Sequence, residues 1–531
     1  MSSAPVAETP AHPPLKIAAG GSSSFVRSSV VFGSVSLGAY LFSLLKTVIV
    51  SHYFGTSAEM DAFAVAVLVP NLLGALLAGS ASAGLVPALA VAERESPQRR
   101  ADTYRTSLVL LVGACAVASV ALAILAKQVV HLVAPAFAGD RLAIAERLAP
   151  AASLLFLLTG IYAFASAELL SRRKYALVAA APAISTVLSL FGILAFHSRG
   201  AAVLVWALVA GLALQALVVS IPAWLASAGG RFTHWHDSHV SRALSAQLTL
   251  LAVSSIGVTN VFVDQVVASL LPTGNVSALS YASSLNNVAM QVIVMSMGWI
   301  VLPNLSELAA AQDLSQLRRK VRMCVITAVM MAAPACLLIV GLGHTAIRTL
   351  FEHGRFHADS TRLVYLAWAG YSLGLVPASI GMMASRVANA LHENWLLFRI
   401  GIGLLVVNAI LDYVLMRAAG IIGITLTTSV VYCAAAVLLY GALRARVGML
   451  LDDRTLRRVL AVVIAAVVAA LPAAILRLLA GSGLVASSLQ LVVFLVGLIL
   501  TYRLAGVIAW CPRRRPDSRA WQWIHLSVEE S

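Results

Sequence analysis

In the stretch GLLVVNAILDYVLM, residues 403–416, Asn408 and Asp412 interrupt a segment otherwise apolar enough to lie in lipid. Four residues apart, they project from one face of a helix. A second carboxylate, Asp264, sits in the apolar TNVFVDQVVASL (259–270), and Thr428 lies in GITLTTSV (423–430). An ionised carboxylate inside a bilayer costs about 3 kcal/mol even on the mildest insertion scales, so it must be paired, protonated or coordinated. Asp264 falls about seven residues before the end of its segment and Asp412 about five before Arg417, which sets both roughly 7 to 10 Å from one membrane edge. Thr428, entering from that edge, reaches comparable depth. Two carboxylates, an amide and a hydroxyl make a hard-oxygen cage for a small monovalent cation. The competing arrangement pairs Asp412 with Arg417 or a lipid headgroup, and Asp264 with Asn260 or Gln265.

Lys46, late in the first apolar segment, and Asp61, opening the second, form another conspicuous pair. They suit an outer gate closed by charge pairing, with Lys46 also available to an anionic substrate. The plainer reading has Lys46 snorkelling to the interface and Asp61 capping its own helix. Arg172, Arg173 and Lys174, and Arg386 in the equivalent later loop, read first as basic membrane-edge residues, with steering of an anionic headgroup as the functional alternative. Glu168 is placed to pair with Arg172 at i, i+4. In LFEHGRF (350–356), Gly354 is expected to make a turn and Phe356 to anchor at the interface.

The elements that must position these groups are membrane-crossing helices. The 531 residues are 60% hydrophobic and 11% charged, and the mean hydropathy is +0.91, well above that of a soluble globular chain. Apolar windows of about 20 residues recur about fourteen times between residues 25 and 510, long and continuous as helices rather than alternating as barrel strands. The fold expected is all-α and polytopic, with two six-helix lobes followed by two further helices. Residues 1–24 read as a disordered cytoplasmic leader, 25–227 as the first lobe, 228–242 as a cytoplasmic connector, 243–446 as the second lobe, 447–510 as the last two helices and 511–531 as a cytoplasmic tail. The five cysteines have no paired spacing, so neither a disulfide framework nor a metal knuckle is indicated. His234, His236 and His239 in the connector lack helical spacing and a carboxylate partner for a metal, and an interfacial helix is expected there.

A formal charge of +15 is a common mark of nucleic-acid binding, but its distribution here reads as topology. With both termini cytoplasmic, roughly 25 of the 37 Lys and Arg fall in inside segments against about eight outside. The implied partner is anionic lipid headgroup, not nucleic acid. The longest outward loop is about fifteen residues and no acid, base and nucleophile cluster together, which argues against a glycan-assembling enzyme; no catalytic residue is assigned.

Aligning the chain with itself at an offset of roughly 216 to 220 residues pairs Asn71 with Asn287, Pro87 with Pro303, Phe137 with Phe356, Asp140 with Asp359 and Gly200 with Gly420. A parallel repeat of an even number of helices implies two lobes related by an axis along the membrane normal, a path between them and alternating access.

The segments HYFGTSAEMDAFAVAVLVPNLL (52–73), LVPAL (85–89), ASLLPTGNVSALSYASSL (268–285), LFEHGRF (350–356), YSLGL (371–375) and the stretch from Arg386 to Gly423 resemble the MurJ/MviN family, lipid II flippases of the multidrug/oligosaccharidyl-lipid/polysaccharide exporter superfamily. The resemblance runs from about residue 25 to 510 and implies fourteen helices in two lobes. It implies a monomeric, non-enzymatic transporter of a polyprenyl-pyrophosphate-linked saccharide, surrounded by membrane lipids in the bacterial inner membrane. No cofactor is required. The family's sodium site, between its seventh, eleventh and twelfth helices, falls on Asp264, Asn408, Asp412 and Thr428, with the carbonyl of Ile424 as fifth ligand and Na+ as the coupling ion. The family's cavity arginines fall here on Tyr40, Lys46, Gly74, Ala75 and Ser284, so Lys46 is the one cation kept at those positions. Phosphate recognition normally uses such charges. An exopolysaccharide repeat-unit flippase and a drug/cation antiporter of the same superfamily therefore stand as alternatives.

Overall fold

The computed structural model describes residues 38, 42–232, 238–295, 305–391, 393–480 and 483–505. The leader, the tail, Tyr40, His234, His236 and the side chain of His239 lie outside the described residues. Among the described residues every regular element is helical. In chain order these are α1 (42–54), α2 (Ala58–Glu95), α3 (Pro97–Ile124), α4 (Ala126–Val133), α5 (Gly139–Ala152), α6 (Leu154–Ser171), α7 (Tyr175–Phe196), α8 (Ala202–Ala226), α9 (Ser238–Ser269) and α10 (Asn275–Met290). Then come α11 (305–310), α12 (Leu314–Phe351), α13 (Ala358–Ser372), α14 (Leu375–Ala390), α15 (Asn394–Ala419), α16 (Ile421–Val447), α17 (Asp453–Ala480) and α18 (Leu484–Leu504).

Ten helical stretches are long and apolar enough to cross a bilayer, and α13 with α14, bent by 42° at their junction, makes an eleventh. With α1, α9 and α10, which border or contain positions outside the described set, these account for the fourteen crossings expected. Helix is the form that satisfies backbone polar groups without water, and α2 and α12 continue through internal prolines (Pro70, Pro87 and Pro334). Ser57 caps α2 by accepting from Met60 N at 3.3 Å, and Ser96 caps α3 by accepting from Arg99 N at 3.0 Å. α2 runs through the middle of the bundle, packed on α6 and on α9. α9 in turn packs on α15, α10 on α13, and α12 on α17.

The largest buried apolar cluster joins the two halves at the end that the sequence reading places outside. It draws Phe54, Met60, Val130, Phe137, Tyr281, Phe351 and Phe356 from seven different segments. Here the turn after α1 and the turn after α12 interlock by backbone: Arg355 N donates to His52 O at 2.9 Å. Gly55 (φ 55) and Gly354 (φ 63) make that approach possible, since a Cβ on the first would strike the Arg355 carbonyl and on the second the His52 carbonyl. Phe356 departs from the interfacial anchor expected of it. It is 1% exposed and edge-on to Tyr281 at 5.9 Å, because the turn at Gly354 folds the chain back under α10 instead of out to the headgroups.

Candidate cation and gate sites

Asp264 occupies the last third of α9, Asn408 and Asp412 one face of α15, and Thr428 the second turn of α16. All four meet. Asn408 Nδ2 donates to Asp264 Oδ1 at 3.1 Å and to Asp412 Oδ2 at 2.8 Å, and Thr428 Oγ1 donates to Asp264 Oδ2 at 3.2 Å. Asp264 is 5% exposed, Asn408 1% and Asp412 0%. The Ile424 carbonyl accepts a long 3.5 Å contact from Thr428 Oγ1, one turn on, so it stands within reach of the same cluster. Asn408 presents its amide NH2 to both carboxylates. Serving as an oxygen ligand therefore requires its amide to turn over.

The competing pairings are not formed. Arg417 bonds and stacks on Tyr413, one turn back on its own helix, and Gln265 donates to Ser280 Oγ at 3.3 Å. The hydrogen-bonding side chains around the carboxylates are thus neutral, while Asp412 Oδ1 is buried with no hydrogen-bond partner among the described residues. Two carboxylates held this way cannot both stay ionised without an added positive charge, whether a proton or a cation. No group of three or more His, Cys, Asp or Glu suited to a metal occurs among the described residues, which leaves a donor set of two carboxylates and neutral oxygens. Oxygen donors of this kind suit a hard cation. One member was missed by sequence reasoning: Tyr371 of α13, whose hydroxyl donates to Asp264 Oδ2 at 3.3 Å. Its segment YSLGL was visible, but a tyrosine in an apolar helix carries no spacing signal linking it to a carboxylate 107 positions earlier.

Asp61 does not pair with Lys46, and Ser57, not Asp61, caps α2. The fully buried Asp61 carboxylate instead reaches the first turn of α10, accepting from Gly274 N at 2.7 Å and Ser277 N at 2.8 Å. Arg141 of α5 supplies the ion pair at 3.1 Å and lies over the Phe137 ring at 3.9 Å. The physical reason is the helix N-terminus: four unbonded N–H groups with a positive dipole end attract the nearest buried anion, and α10 presents them closer than α1 presents its lysine. Lys46 is half-buried on α1 with no ion-pair partner among the described residues.

At the opposite end, Arg172 is tied into structure. Its Nε meets Glu168 Oε1 at 2.6 Å, the expected i, i+4 pair, and a terminal nitrogen donates to Ala226 O at 2.6 Å. Glu168, fully buried, also meets Arg100 at 3.1 Å, and Arg100 reaches Glu93 at 2.7 Å. Arg173 and Lys174 are exposed in the turn after α6, and Arg386 is half-buried in α14. At two of the positions onto which the resemblance carries cavity arginines, Gly74 packs against Thr159 and the Ser284 hydroxyl donates to Ser280 O at 2.9 Å.

A sequence model of the family described as "Lipid II flippase MurJ" matches residues 50–494. The Burkholderia cenocepacia protein named "Lipid II flippase MurJ" is 26% identical over 434 residues, covering 79% of this chain and 84% of that one. A Synechocystis protein named "Probable lipid II flippase MurJ" is 23% identical over 425 residues, covering 77% and 79%. Among solved structures, "Lipid II flippase MurJ, inward closed conformation" superposes with a TM-score of 0.76 at 20% identity, over 89% of this chain and 99% of that one. An inward-facing multidrug resistance MATE family transporter gives 0.65 at 16% identity, over 79% and 98%. With its family model matched over most of its length, this chain belongs to the lipid II flippase MurJ family.

Proposed function

We propose that the protein moves a polyprenyl-pyrophosphate-linked saccharide, lipid II or a close relative, across the bacterial inner membrane by alternating access. The moving bodies are the two six-helix lobes, residues 25–227 and 243–446, with both termini cytoplasmic and a single chain as the working unit. One observation carries the energetic side of this reading: two buried carboxylates, from α9 and α15, with only neutral hydrogen-bonding partners, in a chain whose family are flippases. Na+ held by Asp264, Asn408, Asp412, Thr428 and the Ile424 carbonyl would supply the missing positive charge. The substrate's own anion falls to Lys46, with Arg173, Lys174 and Arg386 at the cytoplasmic mouth.

The chain from Asp264 runs out of α9 directly into Gly274 and Ser277, whose amides bind Asp61. A change of charge at the carboxylates therefore acts on the same helix hairpin that closes the outer end. This is how a gradient would bias the closure without any covalent step. The test is replacement of the resident flippase in a conditional bacterial strain. Growth with normal lipid II levels supports the reading. Failure to grow while lipid II accumulates, with the chain present in the membrane, overturns lipid II as substrate. It would favour the exopolysaccharide unit, which the glycine, alanine and serine at the arginine positions make the second reading.

A further inference from the structure

α3, α6 and α8 leave between them a groove of about 560 Å³ lined by Leu108, Val109, Ile161, Ser220, Ile221 and Trp224. The junction between the halves is made chiefly by α2 with α9 and α10, and every residue lining this groove belongs to the first half. Its rim is apolar and exposed, with Val109 at 51%, Ile221 at 56% and Trp224 at 48%, as suits a surface facing acyl chains.

Two polar features break that surface, in a definite order. Arg105, one turn before Leu108 and Val109 on α3, lies over the Trp224 ring at 4.3 Å and donates to Gly230 O at 2.7 Å. No carboxylate lies within ion-pairing distance of it among the described residues, and most of its five N–H donors are left over. Ser220, four residues and about 6 Å deeper along α8, is among the groove's lining residues, and its hydroxyl has no hydrogen-bond partner among the described residues. From the membrane edge inward the order is cation and tryptophan, then a lone hydroxyl donor, then apolar wall.

We propose that the groove is a binding site for one anionic glycerophospholipid. Its phosphate lies against Arg105 and Trp224, an ester carbonyl accepts from Ser220, and the acyl chain fills the apolar part. Phosphate, ester and hydrocarbon follow one another in such a lipid in the same order. A polyprenyl phosphate carries an anion and an apolar tail but no ester carbonyl, leaving Ser220 unmatched. The site is independent of what the protein transports, and its occupant is a resident of the leaflet.

The experiment is native mass spectrometry of the full chain released from mixed micelles holding equal amounts of palmitoyl-oleoyl phosphatidylglycerol and phosphatidylcholine. The parent is expected to retain one phosphatidylglycerol with a preference of about fivefold, the worth of one basic contact to an anionic lipid. Arg105→Gln should equalise the two lipids. Val109→Trp, a change at a groove position 51% exposed, should abolish retention of both while helicity is unchanged. Equal retention of the two lipids by the parent, or undiminished phosphatidylglycerol on Val109→Trp, would overturn the site. Displacement of phosphatidylglycerol by equimolar undecaprenyl phosphate would overturn the choice of occupant.

Discussion

Removing the Asp61 carboxylate measures what holds the two halves together at the end that the proposed topology places outside. The side chain is fully buried and serves two partners at once, the α10 amides of Gly274 and Ser277 and the Arg141 guanidinium. Asp61→Ala strips an anionic cap from α10 and leaves Arg141, 13% exposed, without its counter-ion. Breaking a buried pair from one side costs about 3 to 5 kcal/mol. Arg141 keeps the Phe137 ring and some access to water, so the lower end, about 3 kcal/mol, applies. At 1.4 kcal/mol per decade this is roughly a hundredfold shift toward the open outer end. The readout is Thr56→Cys, placed where the Thr56 hydroxyl meets Ser360 Oγ at 2.7 Å across the closure, labelled in cells with a membrane-impermeant maleimide. Cys324, Cys336, Cys433 and Cys511 are first replaced by serine, while native Cys115, 4% exposed, remains as the control for unfolding. Asp61→Ala should raise the Thr56→Cys labelling rate steeply with Cys115 still protected, and Asp61→Asn should fall between. An unchanged rate in Asp61→Ala would refute the latch.

The same labelling should rise in Gly354→Ala, since a left-handed φ of 63 with a methyl driven at the His52 carbonyl costs at least about 1 kcal/mol; equal rates would mean that the turns do not interlock. Sodium chloride, compared with choline chloride, should raise the melting temperature of the purified protein but not that of Asp264→Asn or Asp412→Asn, and equal rises in all three would remove the ion from the site. Glu168→Ala should lower thermal stability by about 2 kcal/mol, because Arg100, 4% exposed, keeps only the exposed carboxylate of Glu93 and Arg172 loses its ion pair; a melt within a degree of the parent would contradict this. At Asp452, in the loop before α17, partial burial raises the carboxyl, but the Thr455 hydroxyl and amide and Arg322 at 2.6 Å outweigh it and hold the group below the usual carboxylate range. Its contribution is therefore present above the unfolded value near 4 and lost as pH falls through the lower folded one. Melting curves from about pH 6 to pH 3 should show a drop that Asp452→Asn lacks.

What the sequence disclosed and what it withheld divide along a physical line. Helix count came from the length of apolar runs, since a bilayer sets that length. The Asp264, Asn408, Asp412 and Thr428 cluster was legible because a carboxylate in lipid demands a partner, and depth along a helix can be counted from its ends. Tyr371 escaped because a phenol is at home in an apolar helix and announces no demand. Asp61 was recognised as a group needing a partner, yet the wrong partner was assigned. Lys46 is near in sequence, whereas Arg141 and the Gly274 amide approach only through tertiary packing of α5 and α10 against α2. Phe356 failed for the same reason: its repeat partner Phe137 was found, but not that both bury in the cluster between the halves.

That cluster and the carboxylates share their supports, and the sharing constrains any account of how the ends open. α9 carries Asp264 and, one turn past its end, the Gly274 amide that Asp61 holds. α13 carries Tyr371 against Asp264 and, at its first turn, Ser360 against Thr56. Opening the outer end must carry α10 and the head of α13 away from α2, and both movements pull on elements that hold the carboxylates. The interlock at Gly55 and Gly354 resists partial separation, because the His52–Arg355 backbone bond joins two segments whose main chains approach too closely for a Cβ at either glycine. Closure at this end is therefore expected to be two-state, with the charge at Asp264 and Asp412 biasing the population and Asp61 with Arg141 setting the free energy that the bias must overcome.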